Sequence, residues 1–282
     1  MILVTGATGK VGSEAVRLLR QHELPVRALV RSPEKAAALV EVGAEIAEGD
    51  LEAQPTIDEA MQGATSVVLV SPGAPMMELN VIQSAVRAGV GHVVKISAGS
   101  ASADSPIARR REHAQIEDAL TGSGLNYTLL RPNVYMQNIF ALAPMIAKTD
   151  GFASSHGAGR LGMIDARDVA AVAAKIAASP ATHRGKTYPL TGPELLSYVD
   201  VGAVLSKVLD RPITYRELSF EEDREAMIRA GLPEPIAEMN AQAFRLVAAG
   251  GSAWLTEDVP SVLGRPARSF EQFATDYATA FS

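Results

Sequence analysis

The sequence predicts an α/β fold: a doubly wound, mostly parallel Rossmann-type sheet followed by a smaller, mostly helical C-terminal region. Three observations predict it. Short, near-continuous apolar runs recur through the first half of the chain; helix-period segments separate them; and a glycine-spaced turn joins the first run to the first helix. A strand buried on both faces has no polar side to show, so continuous rather than alternating hydrophobicity marks a parallel sheet.

In chain order, strands are expected at residues 2–4, 26–30, 67–70, 93–96 and 127–130, with a weaker candidate at 44–47. Helices are expected at 11–20, 33–42, 57–61, 77–88 and 107–120. Right-handed crossovers then wind this alternation into a sheet covered on both faces. Beyond Pro132, Val169, Val172, Ala173 and Ile176 fall at i, i+3, i+4 and i+7, one apolar face of a helix that Asp165 caps. Residues 186–190 return as a strand and 197–209 read as a helix. The rest is mostly helical from about 219, with breaks at Gly231-Leu232-Pro233 and Gly250-Gly251. The expected division is a dinucleotide-binding domain at 1–150, with return elements from 160–192, and a substrate-side region at 193–282.

Composition narrows the chemistry. The 282 residues contain no cysteine, which excludes a thiolate nucleophile, a disulfide framework and an iron–sulfur cluster, and no metal site is expected. Lys and Arg number 26 against 32 Asp and Glu, a net charge of −6 that argues against a nucleic-acid partner. The apolar stretch 169–178 is too short to span a bilayer and contains Lys175, and no cationic leader precedes Met1-Ile2-Leu3-Val4, so the expected location is the cytoplasm. A homodimer is compatible with the sequence.

The glycine turn reads Val4-Thr5-Gly6-Ala7-Thr8-Gly9-Lys10-Val11-Gly12, between a strand and a helix. Glycines there let the backbone approach a pyrophosphate at a helix N-terminus, so Gly6, Thr8, Gly9, Lys10 and Val11 are candidate dinucleotide contacts. An NAD-selective site normally carries an acid about 20 residues further on, to hold the ribose 2′-OH. Here Arg31 ends the second strand, with Lys35 beyond it. A guanidinium suits a 2′-phosphate, so the expected cofactor is NADP (NADPH). Asp50 and Leu51 follow the third strand, where Asp50 either accepts from the adenine amino group or caps a turn. Ser71-Pro72-Gly73 follows the fourth strand on the same edge.

Taken with Lys95-Ile96-Ser97-Ala98, Leu129-Leu130-Arg131-Pro132, Met136-Gln137-Asn138, Asp165-Ala166-Arg167-Asp168-Val169-Ala170 and Leu190-Thr191-Gly192-Pro193, these stretches resemble the NmrA-like, atypical short-chain dehydrogenase/reductase family. Within it the chain is similar to NADPH-dependent quinone oxidoreductases, azoreductases and triphenylmethane-dye reductases. The resemblance implies that Ser71, Ser97, Pro132 and Asn133 flank the nicotinamide half of the cofactor. It also implies a small-molecule hydride acceptor such as a quinone or azo compound. A different reading within the family is a non-catalytic, NAD(P)-binding redox sensor that regulates a partner.

The sequence departs from the alcohol-oxidising short-chain dehydrogenases, which use a Tyr-x-x-x-Lys pair. The corresponding helix reads Ala108-Arg109-Arg110-Arg111-Glu112-His113-Ala114-Gln115-Ile116-Glu117, without a tyrosine. His113 is the candidate proton donor, because an unperturbed imidazole titrates near working pH, with Glu117 at i+4 to orient it; the other reading is a packed histidine bonded to Glu117. Tyr135 either reaches the nicotinamide side or packs in the core. The three arginines read as a solvated face or partly a phosphate contact. Lys95, inside an apolar strand and on the same face as Ser97, either reaches the cofactor edge or pairs with a carboxylate the sequence does not identify. Phe220, Met227, Met239 and Phe244 are candidates for an apolar lid over the acceptor, or for core.

Overall fold

The computed structural model describes residues 1–71 and 75–282; Pro72 and Gly73 of the expected turn lie outside them. The first part alternates β1 (Ile2–Val4), α1 (Lys10–Gln21), β2 (Val26–Val30), α2 (Ala37–Glu41), β3 (Glu45–Glu48), α3 (Gln54–Met61), β4 (Ser66–Leu69), α4 (Pro75–Ala88), β5 (His92–Ile96), α5 (Ala108–Thr121) and β6 (Tyr127–Pro132). Then come α6 (Ala143–Thr149), β7 (Gly151–Ser154), α7 (Ala166–Ala178), β8 (Lys186–Leu190), α8 (Tyr198–Leu209), β9 (Thr214–Glu217), α9 (Phe220–Arg229), α10 (Glu234–Ala248), α11 (Asp258–Leu263) and α12 (Phe270–Asp276). Seven strands form one sheet in the order β3-β2-β1-β4-β5-β6-β8, and every pairing in it is parallel.

Strand parity explains the two layers of the core. Ile2, Val4, Val68, Val94 and Leu130 face Ala15, Val16 and Leu19 of α1 and Val169, Val172, Ala173 and Ile176 of α7. Their neighbours Leu3, Val67, Leu69, Val93 and Leu129 face the other way, onto Ile57, Met61, Val81, Ile82, Ile116 and Leu120 of α3, α4 and α5. Each fully buried aliphatic side chain contributes about 1.5–3 kcal/mol. Asp165 caps α7 as expected, its side chain accepting from the Arg167 amide at 2.8 Å.

One local expectation changes. The segment 33–42 is not one helix: a 3-10 turn at Pro33–Lys35 precedes α2. The C-terminal part is mostly helical as expected, and its short strand β9 pairs in parallel with β7, Phe152 against Tyr215, a pairing the sequence did not signal. Four-residue strands carry too little periodicity to be seen in sequence. The packing also interleaves the two parts of the chain. Met136, Ile139 and Ile146 join Phe152, Val201, Leu205, Phe270 and Phe273 in a third core, whereas Val259 and Val262 of α11 pack on the α1–α7 layer.

Candidate cofactor and acceptor cleft

A cleft of about 470 Å³ opens along the carboxyl edge of the large sheet. This is the edge where crevices form in doubly wound sheets, because the connections on either side of β1 run to opposite faces. Gly6, Thr8, Gly9, Lys10 and Val11 line one stretch of it, Arg31, Asp50 and Leu51 another, and Ser71, Ser97, His113 and Tyr135 a third.

The glycines of the loop serve different ends. Gly6 has φ +55°, and a Cβ there would lie 2.8 Å from the Val70 carbonyl oxygen. A Cβ at Gly12 would lie 2.2 Å from the Gly6 carbonyl oxygen. Both positions are therefore dictated by the fold. Gly9 is the N-cap of α1 with φ −84°, and its added Cβ would meet only the Gly6 oxygen, at 3.2 Å. Its missing side chain leaves room on the cleft side instead. No side chain caps α1 and no acid lies in its first turn, so its first amides and the positive end of its dipole remain available to an anion.

Arg31 is exposed and lines the cleft, and among the described residues no carboxylate pairs with it. Lys35 sits exposed on the 3-10 turn, outside the lining. Asp50 lines the cleft and also braces its turn, Oδ1 accepting from the Glu52 amide at 3.0 Å. Pro132 and Asn133 do not line the cleft. The Pro132 carbonyl accepts from the Gly99 amide at 2.8 Å, and the Asn133 amide group donates to the Ser252 carbonyl at 3.1 Å, so both tie loops together.

At the third stretch a buried polar chain runs beneath the surface. Ser71 Oγ donates to Glu78 Oε1 at 2.9 Å, and Glu78 Oε2 forms a close ion pair with Lys95 Nζ. Lys95 Nζ also lies 3.3 Å from the Ile96 carbonyl and 3.3 Å from His113 Nδ1. Parity is the cause: Lys95 shares the face of Val93, which looks onto α4 and α5, where Glu78 and His113 lie. Lys95 is 0% exposed and Glu78 1%. Glu78 is the carboxylate the sequence did not identify. Its only sequence signal is an acid one turn before Val81 and Ile82 on an otherwise apolar helix stripe.

Two expectations for His113 are corrected by this geometry. Its ring does not titrate near working pH: burial, then the positive charges of Lys95 and Arg109, push its pKa down to about 3. Glu117 does not orient it either. That carboxylate accepts a close hydrogen bond from Ser97 Oγ and holds Arg131 in a two-pronged pair, with Nε at 3.0 Å. Tyr135 both packs against the α1–α7 layer and lines the cleft, and burial raises its phenol pKa. Arg111 is a loop brace, donating to the carbonyls of Ser105 and Pro106.

Phe220, Met227, Met239 and Phe244 are not among the lining residues. Phe220 lies under the Arg245 guanidinium, and the Phe244 ring centroid lies 4.1 Å from that of the buried His156, so packing between α9, α10 and the β7 end claims these two rings. Sequence reasoning gave no role to Met77, Ile96, Gln137 and Asn138, which do line the cleft. Gln137 is held by Asp165 Oδ1 at 2.8 Å and by the Ala166 amide at 2.9 Å.

The NmrA-like family model matches residues 1–257. The chain belongs to the NmrA-like family. Among its relatives, the NAD(P)H azoreductase of Xenophilus azovorans is 38% identical over 284 residues, covering 100% of this chain and 99% of that protein. Quinone oxidoreductase 2 of Escherichia coli (strain K12) is 32% identical over 273 residues, 94% of each chain. The crystal structure of an NADPH-dependent quinone oxidoreductase from Escherichia coli, complexed with NADPH, superposes with a TM-score of 0.89 at 30% identity, over 99% of this chain and 100% of that one. A negative transcriptional regulator complexed with NADP superposes with a TM-score of 0.82 at 20% identity, a likeness of fold alone.

Proposed function

We propose that this NmrA-like protein is an NADPH-dependent oxidoreductase that reduces a conjugated small molecule, a quinone or an azo compound. The observation that carries the reading is the continuity of one cleft from the glycine loop and Arg31 to His113 and Tyr135. The side-chain-free Gly9 and the uncapped α1 N-terminus fit a pyrophosphate, and Arg31, which has no carboxylate partner among the described residues, fits a 2′-phosphate. Likeness over the whole chain to an azoreductase and a quinone reductase supports the same acceptor class.

Gly6, Thr8, Gly9, Lys10 and Val11 would hold the pyrophosphate, Arg31 the 2′-phosphate, and Asp50 and Leu51 the adenine. Ser71 and Ser97 would flank the nicotinamide, and His113 and Tyr135 the acceptor. When bound, the reduced nicotinamide supplies a hydride, and the acceptor takes one proton from solvent to complete the two-electron reduction. The chain's own work is to hold the acceptor in place and to offer hydrogen-bond donors to the charge that develops on it. A quinone or azo group needs no strong acid for this, which agrees with α5 carrying no tyrosine where the alcohol-oxidising dehydrogenases place their Tyr-x-x-x-Lys pair.

We also read residues 1–150 with 160–192 as the cofactor-binding body and 193–282 as the substrate-side part. The protein is read as cytoplasmic, acting on a small molecule without nucleic acid or metal, and as compatible with a homodimer. Among the described residues no helix is long and apolar enough to cross a membrane. The test is NADPH oxidation against a panel of quinones, azo compounds and simple ketones. Turnover is expected with the conjugated acceptors and not with the ketones. Tight NADPH binding without turnover of any acceptor would favour the redox-sensing regulator instead.

A further inference from the structure

An ammonium group has three hydrogens and no lone pair, so it can only donate. Lys95 Nζ has three acceptors around it: the Glu78 carboxylate, the Ile96 carbonyl at 3.3 Å and His113 Nδ1 at 3.3 Å. The first two can accept only, and the third completes the set. Burial lowers the Lys95 pKa, but the Glu78 carboxylate against Nζ opposes that and favours the charged form. With Nζ held as an ammonium by this ion pair, His113 Nδ1 accepts and the ring's single proton resides on Nε2. Glu78 is itself held by Ser71 Oγ, so the ammonium cannot swing away without stranding a buried carboxylate.

We propose that Lys95 is the positioning residue of the cleft: by donating to Nδ1 it keeps His113 a neutral imidazole with its N–H on Nε2, a donor for the oxygen or nitrogen of the acceptor on which negative charge develops. This inference rests on the acceptor reading above and deepens it. A neutral N–H polarised by a cation on its far side stabilises such an anion without requiring prior protonation of the ring. It also gives Lys95 a reason to be buried, since an apolar residue would pack in β5 at lower cost. The burial of His113 and the neighbouring charge, which disfavour its cationic form, act in the same direction.

The experiment is nitrogen-15 NMR of the histidine rings in the intact protein, with His113→Ala to assign the signal. Wild-type protein is expected to show His113 as the Nε2–H tautomer with an accepting Nδ1. An Nδ1–H tautomer overturns the proposal, and that measurement needs no further variant. The Lys95→Met/Glu78→Gln double variant removes both charges together, so no buried ion is left unpaired. It is expected to show mixed tautomers, an imidazole that titrates closer to its ordinary pKa, and kcat lowered about ten-fold with KM for NADPH unchanged. Unchanged kcat and unchanged tautomer in the folded double variant overturn the proposal. If no acceptor is turned over at all, the acceptor reading fails while the tautomer result still decides the role of Lys95.

Discussion

Reversing the charge at the end of β2 offers a test with a sign as well as a size. Arg31 lines the cleft, is exposed, and has no carboxylate partner among the described residues, so a 2′-phosphate would meet a free guanidinium. A charge-assisted hydrogen bond of this kind is worth about 1.5–3 kcal/mol, and exposure places Arg31 toward the lower end at physiological salt. Arg31→Asp removes that contact, repels the phosphate and presents an acceptor to a 2′-OH. The expected result is NADPH affinity weakened about ten-fold at physiological salt and approaching 100-fold at low salt, with NADH affinity held or improved. Lys35 is exposed and lies outside the cleft lining, so Lys35→Ala is expected to move the NADPH/NADH ratio by less than about three-fold. Calorimetric titration of both dinucleotides at two ionic strengths reads the ratio directly. If Arg31→Asp leaves that ratio unchanged at low salt, Arg31 does not face the phosphate and the preference for NADPH loses its basis.

The loop glycines separate binding from folding: Gly9→Val is expected to abolish NADPH binding in calorimetry while the circular dichroism stays native, because its side chain would occupy the cleft. Gly12→Ala, whose Cβ would sit 2.2 Å from the Gly6 carbonyl oxygen, is expected instead to lower the thermal midpoint; equal stability of the two variants would contradict this division. Acid is expected to destabilise the fold before its carboxylates titrate. Burial lowers His156 to about 4 and His92 to about 4, and His113 lies at about 3. Their stabilising contribution is complete above the unfolded pKa near 6.5 and is lost as pH falls toward 4, because the unfolded chain binds protons that the native state refuses. For a fully buried ring such as His156 the loss at about pH 5 is about 2 kcal/mol, read as a lower urea midpoint than at about pH 7.5; equal midpoints would mean that these rings are hydrated.

What was legible in the sequence was local. The apolar runs of β1, β2, β4, β5 and β6, the Gly6–Gly9–Gly12 spacing, Arg31 at a strand end and Asp165 as a cap each depend on a few adjacent residues, because strand parity, helix pitch and turn geometry repeat over short distances. Parity even put Lys95 and Ser97 on one face. It did not say which helix residues that face would meet. Glu78 and His113 reach Lys95 only because α4 and α5 settle on β5 with a particular rotation and height, set by how Val81, Ile82, Ile116 and Leu120 fill the layer beneath them. The same applies to Glu117, which shares a helix with His113 yet turns to Ser97 and Arg131, and to the pairing of β7 with β9. It applies equally to Asp168, buried at the start of α7 and held by Arg265 and Arg268 from the far end of the chain. Sequence periodicity carries direction relative to a local axis. The partner of a buried charge is decided by how whole elements pack, so the glycine turn and Arg31 could be singled out in advance as strand-edge residues, which do line the cleft, and the charge network beneath His113 could not.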